Sequence, residues 1–337
     1  MLEGFREKTS LKLTSGTASH ITFSPDGDAI ALVQNNTTVR LVTRNGEDIA
    51  SFDATGVVRD LAFSPDGKTL AIADGNGKIE LWQYTNPQVS KALQHPNGIT
   101  SLAFHPDGQM LASADGDGII KLWTLDERPP QTLSHPGRIT SIAFSPDGDK
   151  MASASRQNTL KLWSINGQEP ITLNHRGRPT RVAFSHDGEQ LASAAAEGSI
   201  KLWDSTGNPL KTLTNSSGVF DVFFSADSTR LISTSSDDSL KLWSRNGKPI
   251  QTILGHSTAV WDVSFSSDGY TIASVSGDAT LKQWSRRGNL RQNFEAHEEN
   301  LTITSLAFSP NGQTLASAGD DGSVKLWFKE GELLKEA

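Results

Sequence analysis

The sequence encodes an all-β chain: an eight-bladed β-propeller of four-stranded antiparallel blades, closed by an N-terminal strand that completes the last blade. Three features lead there. A phenylalanine-led turn recurs as Phe-Ser-Pro-Asp-Gly at Phe23, Phe63 and Phe144, with variants at Phe104, Phe184, Phe224, Phe265 and Phe308. About nineteen residues after each Phe stands Lys-Leu-Trp or a relative, ending at Val42, Trp82, Trp123, Trp163, Trp203, Trp243, Trp284 and Trp327. Consecutive copies lie 40, 41, 40, 40, 40, 41 and 43 residues apart. So regular a period means stacked repeats in one body, because no copy of that length can bury its own apolar face. The repeats run approximately over 10–45, 46–86, 87–126, 127–166, 167–206, 207–246, 247–287 and 288–337, and the whole chain, 1–337, forms a single domain.

The third copy shows how one repeat becomes one blade. Ile99 to Phe104 alternates apolar residues, the period of a strand with one buried face. His105-Pro106-Asp107-Gly108 reverses the chain: proline presets φ, aspartate bonds its own backbone and glycine accepts positive φ. Met110 to Ala114 is a second strand, Asp115-Gly116-Asp117-Gly118 a tight hairpin, and Ile119 to Thr124 a third strand. A looser fourth strand, Gln131 to Ser134, leads into the next copy. Four short antiparallel strands per repeat are a propeller blade. The C-terminal Gly331 to Ala337 is the one weak helix candidate. Ser10 to Leu13 reads as a fourth strand lacking its first three, and the strand ending at Trp327 lacks its fourth. Pairing the two removes free sheet edges. Leu333-Leu334 is the competing source of that strand. The first copy is the weakest, with Val42 where Trp is expected, so a seven-bladed ring with one displaced copy is the alternative.

Composition narrows the function classes. A formal charge of −7 argues against broad nucleic-acid binding, which needs a basic field. With no cysteine, thiolate catalysis, disulfides and Cys-ligated zinc are excluded, and a cytoplasmic location is expected. No apolar stretch approaches the roughly 18–20 residues of a membrane span, and the first ten residues are too polar for a signal peptide. No membrane partner is therefore expected.

These landmarks resemble the WD-repeat family over nearly the whole chain, and the Phe-Ser-Pro-Asp-Gly variant is most similar to prokaryotic members. The Asp after Trp that names the family survives only at Asp204, and Gly-His only at Gly255-His256. The resemblance implies a buried tetrad in each blade: His before the first strand, Ser or Thr in the second, Asp in the hairpin and Trp in the third. Carried across by phase, the full sets are His95, Ser113, Asp117 and Trp123; His256, Ser274, Asp278 and Trp284; and His297, Ser317, Asp321 and Trp327. Partial sets are His135, Ser153 and Trp163 with Gln157; His175, Ser193 and Trp203 with Glu197; and Ser233, Asp237 and Trp243 with Asn215. Copies one and two have almost none.

Ser, His and Asp in every repeat are not a hydrolase triad, which occurs once and exposes its nucleophile. Asp115-Gly116-Asp117-Gly118 lacks the flanking ligands and distal Glu of a calcium loop. His105 and His186, in turns of separate copies, read as surface substitutions. No phosphate-binding or dinucleotide fingerprint is present. No cofactor, metal or small-molecule substrate is expected.

The resemblance also implies that partners bind the face carrying the loops before the first strand and between the second and third. Most positions on that face are small or polar. The exceptions are Arg138, Arg156, Arg176, Arg178, Phe220 and Trp261 in consecutive copies, with Arg59 in the second copy and Glu298, Glu299 and Asp320 in the eighth. Arginine and large aromatics are the residues enriched at binding hot spots. The competing reading has Phe220 and Trp261 packed into neighbouring blades and the arginines merely solvated. The functional expectation is a non-enzymatic scaffold binding a protein or peptide with acidic and apolar features, as part of a larger prokaryotic signalling protein. The alternatives are a propeller enzyme, such as a lactonase or other hydrolase, and a reader of nucleic acid or modified tails.

Overall fold

The computed structural model describes residues 5–12, 16–83, 88–126, 128–297 and 301–329. Every described regular element is a strand, and the strands assort into eight antiparallel four-stranded sheets, the architecture of an eight-bladed β-propeller. Blades 1 to 7 span residues 18–53, 58–94, 99–134, 139–174, 179–214, 219–253 and 260–295. Blade 8 takes strands Ile303–Phe308, Thr314–Gly319 and Ser323–Lys329, and its fourth is the N-terminal strand Phe5–Lys12. That strand pairs antiparallel with Ser323–Lys329, from Phe5 opposite Lys329 to Lys12 opposite Ser323. Leu333-Leu334 lies outside the described residues, as does the weak helix candidate.

The chain parts into two compact units, Met1–Ser51 with His256–Ala337, and Phe52–Gly255. The first holds blades 7, 8 and most of blade 1; the second holds blades 2 to 6. Apolar side chains pack between successive blades inside each unit. In the first, Ile30, Leu32 and Val42 of blade 1 meet Ala316, Val324 and Leu326 of blade 8. In the second, Leu160, Leu162 and Leu173 of blade 4 meet Val182, Leu191 and Trp203 of blade 5.

The repeated sequence signals each have a structural job. In the turn after the first strand, the Ser145 hydroxyl donates to Asp147 Oδ1 at 2.5 Å and accepts the Lys150 amide at 3.0 Å. Gly148 follows with φ of +79°, a backbone state costly for other residues. His105 replaces that Ser in blade 3 and is no mere surface substitution: its Nε2 lies 2.9 Å from the Gly148 carbonyl of the next blade. The Lys of Lys-Leu-Trp lies over its own Trp ring, 4.9 Å away for Lys161 and Trp163. Its Nζ reaches the Ser134 carbonyl of the preceding blade at 2.9 Å.

In five blades a polar residue three before the Phe staples that first strand to the next. The amide of Leu102 donates to Asp60 Oδ2 at 2.7 Å, that of Ile142 to Ser101 Oγ at 3.3 Å, and that of Val182 to Ser141 Oγ at 3.3 Å. In the other unit Leu306 donates to Asp262 and Ile21 to Ser305. Arg181 stands at this position in blade 5 and cannot accept; it pairs instead with Asp221 at 3.3 Å. Burial pushes the Asp221 carboxyl up, with Arg181 opposing.

Candidate functional site

The hairpin between second and third strands and the loop before the first strand meet at one end of each blade. In the larger unit, blades 3 to 5 there frame a hollow of about 370 Å³, lined by Arg138, Arg156 and Arg178 with Thr100, Thr140 and Thr180 among others. Local folding fixes the three arginines. The Arg156 amide donates to the Arg138 carbonyl at 2.9 Å, which ties the hairpin of blade 4 to the loop entering it. Arg138 is offered space by Gly116: a Cβ there would lie 3.5 Å from a guanidinium nitrogen. Arg178 is held differently. Its Nε donates to Glu197 Oε1 at 3.0 Å and its amide to Glu197 Oε2 at 2.5 Å. Burial raises the Glu197 carboxyl, but these hydrogen bonds outweigh it and hold it below the usual range.

Arg138 and Arg156 have no ion-pair partner among the described residues, and no carboxylate lines the hollow. The threonine hydroxyls are committed to backbone. Thr140 donates to the Pro179 carbonyl at 2.9 Å and Thr180 to that of Val219 at 3.0 Å, clasping successive blades. They serve the frame, and the arginines are the charged residues of the lining.

The other expected partner residues are placed separately. Arg176 is exposed but does not line the hollow; its carbonyl accepts from Ser199 at 2.9 Å. Arg59 lies over Gly75 in blade 2. Phe220, in blade 6, is 37% exposed. Trp261 and Asp320 belong to the other unit, where Trp261 is 48% exposed with its indole nitrogen close to Gly277. Burial, with neighbouring Asp321, pushes the exposed Asp320 carboxyl up. Glu298 and Glu299 lie outside the described residues.

The tetrads appear in graded completeness. In blade 7, Trp284 Nε1 donates to Ser274 Oγ at 2.8 Å, His256 Nε2 lies 2.8 Å from that oxygen, and Nδ1 lies 3.1 Å from Asp278. Blade 8 repeats this through Trp327, Ser317, His297 and Asp321. Blade 3 requires a correction. Asp117 is exposed, and the buried carboxylate is Asp115, whose Oδ2 lies 3.4 Å from His95 Nδ1. Asp115 Oδ1 caps the hairpin by accepting the amides of Asp117 at 3.0 Å and Ile119 at 2.8 Å, so the inward role goes to the residue two earlier. Neither His95 ring nitrogen completes a hydrogen bond. Trp123 still donates to Ser113 at 2.8 Å.

In blade 4, Gln157 takes no part; His135 uses Thr159 and Ser153, and Trp163 donates to Ser153. Glu197 serves Arg178, not His175, which bonds backbone carbonyls, while Trp203 donates to Ser193. In blade 6 Trp243 donates to Ser233, Asp237 bonds Ser216 and Ser239, and the buried Asn215 side chain has no partner. Blade 2 carries the variant that sequence reading missed: Thr55 donates to Asp74 at 2.6 Å, with Asp74 in the phase of Asp115 and Thr55 one position past that of His95. The signal was present as Asp at the same offset in copies two and three.

No group of three or more His, Cys, Asp or Glu able to hold a metal occurs among the described residues. No described helix is long and apolar enough to cross a membrane.

The comparisons agree with this geometry. No curated protein matches the sequence. Among solved structures, the computationally designed Ika8 protein superposes with a TM-score of 0.83 at 25% identity, over 96% of this chain and 99% of that one. The C-terminal WD40 domain of Sif2 superposes with a TM-score of 0.86 at 20% identity, over 98% of this chain and 100% of that one, a likeness of fold alone. The family model described as the IFT122 first beta-propeller matches residues 57–327. With that match over most of its length, and eight four-stranded blades, the chain is a WD-repeat β-propeller and belongs to the IFT122 first beta-propeller family.

Proposed function

We propose that the chain is a non-enzymatic interaction scaffold whose hollow at Arg138, Arg156 and Arg178 docks an acidic segment of a protein partner. The observation that carries the reading is the meeting of three arginines from separate loops in one hollow without a lining carboxylate. Two unpaired guanidiniums on a chain of net charge −7 are a local inversion of sign, and such inversions steer and select partners. Phe220, exposed one blade further on, supplies apolar area suited to a hot spot. Cytoplasmic residence and a place in a prokaryotic signalling assembly belong to the same proposal.

The test is the double variant R138E/R156E, compared with wild type in affinity capture from source cells with quantitative mass spectrometry. Arg178 is left intact, because its replacement by Glu would set two carboxylates side by side at Glu197. The expected outcome is at least a tenfold loss of specific partners at an unchanged melting temperature. Equal capture by both proteins would refute the reading.

A further inference from the structure

We infer that the ligand group taken by this hollow is a phosphomonoester dianion carried on a protein side chain. The inference rests on the acidic-partner reading and sharpens it. Three guanidiniums against the single carboxylate of Glu197 leave two uncompensated positive charges around the cavity. A phosphorylated Ser, Thr or Tyr carries about −1.5 to −2 at neutral pH and so balances that charge, whereas one Asp or Glu balances half.

Donor geometry points the same way. A guanidinium presents its N–H groups as a fork matched to two oxygens, so one bidentate arginine engages both oxygens of a carboxylate. Arg138 and Arg156 offer two such forks, and a group with three terminal oxygens can receive both with less sharing of acceptors than a carboxylate's two oxygens allow. The neighbouring Thr140 and Thr180 hydroxyl protons are already donated to carbonyls, so they do not compete as donors. Arg178 is oriented by Glu197, which leaves part of its fork facing the cavity. The space, about 370 Å³, holds a phosphoryl group together with the side chain bearing it. A phosphodiester carries one charge per unit, and a nucleic acid or membrane would also meet the acidic remainder of the chain.

The experiment is fluorescence anisotropy with the full chain and three degenerate nonapeptide pools. The pools are identical except for a central phosphoserine, glutamate or serine, and a labelled oligothymidine serves as the diester probe. The expected result is binding of the phosphoserine pool at least about tenfold tighter than the glutamate pool, as charge-assisted double forks require. R138Q and R156Q should each remove that preference at unchanged melting temperature, and millimolar inorganic phosphate should compete. Equal binding of phosphoserine and glutamate pools overturns the inference while leaving an acidic-partner site standing. Binding of oligothymidine as tight as phosphoserine, or no preference for phosphoserine over serine, also overturns it. Loss of partners in the capture experiment is read separately, so failure of this inference is distinguished from failure of the acidic-partner reading.

Discussion

Ser153 bonds two buried rings at once: it accepts from the indole of Trp163 at 2.8 Å, and His135 Nδ1 lies 2.7 Å from the same oxygen. A large ring buried for its apolar area brings an N–H that must be met, and a small hydroxyl meets it without loss of packing. The same logic distinguishes the two aspartates of the blade 3 hairpin. Asp115 is fully buried and accepts two backbone amides, whereas Asp117 projects into solvent. Asp115→Ala should therefore cost about 1–3 kcal/mol, the range for orphaned buried groups, and Asp117→Ala within about 0.5 kcal/mol of nothing. Urea unfolding of the two variants decides it; equal costs would return the role to Asp117.

Blades differ in how consistently their positions agree. In blade 1, Leu32 and Val42 stand where Ser and Trp stand elsewhere, and both are fully buried, so that pair is apolar on both sides. Blade 2 is mismatched: it keeps Trp82 but has Ile72 at the Ser position, and the buried Trp82 Nε1 has no acceptor. Phe52 packs edge-on against that ring at 4.8 Å, so the ring relies on contact alone. Trp82→Phe should consequently cost at least about 1 kcal/mol less than Trp163→Phe, which leaves Ser153 and His135 short of a partner. Paired melting curves measure the difference. Blade boundaries were legible because turn chemistry and alternation repeat in phase: Ile99 to Phe104 and Gln131 to Ser134 fall as read. Side-chain pairing was legible only where phase alone decides it, as for Asp278 and Asp321. It failed at Asp115, because alternate hairpin positions compete for one inward carboxylate. Of the candidate site, phase brought Arg138, Arg156 and Arg178 together, but not the pairing of Arg178 with Glu197, which depends on rotamers.

Across the molecule, buried histidines tie stability to pH. Burial pushes His95 and His135 down to about 4 from the usual 6.5, with Asp115 partly opposing the shift at His95. Burial also lowers His175 and His297, against opposing hydrogen bonds. Between those limits the unfolded chain binds more protons than the folded one, so stability rises with pH. The contribution is complete above about 6.5 and is lost as pH falls through that value toward 4. Urea midpoints should fall progressively over this window, and His135→Gln should flatten the fall; a flat wild-type profile would contradict it. Asp278, held low by its His256 and Thr280 hydrogen bonds although burial opposes them, adds a further loss in stronger acid.

The pairing of Phe5–Lys12 with Ser323–Lys329 brings together distant residues such as Glu7 and Lys325, 318 positions apart along the chain. Contacts so distant form late, since loop closure must precede any reward. On the ribosome, Phe5–Lys12 therefore waits unmatched until Ser323–Lys329 emerges, and the nascent chain carries an unzipped seam until then.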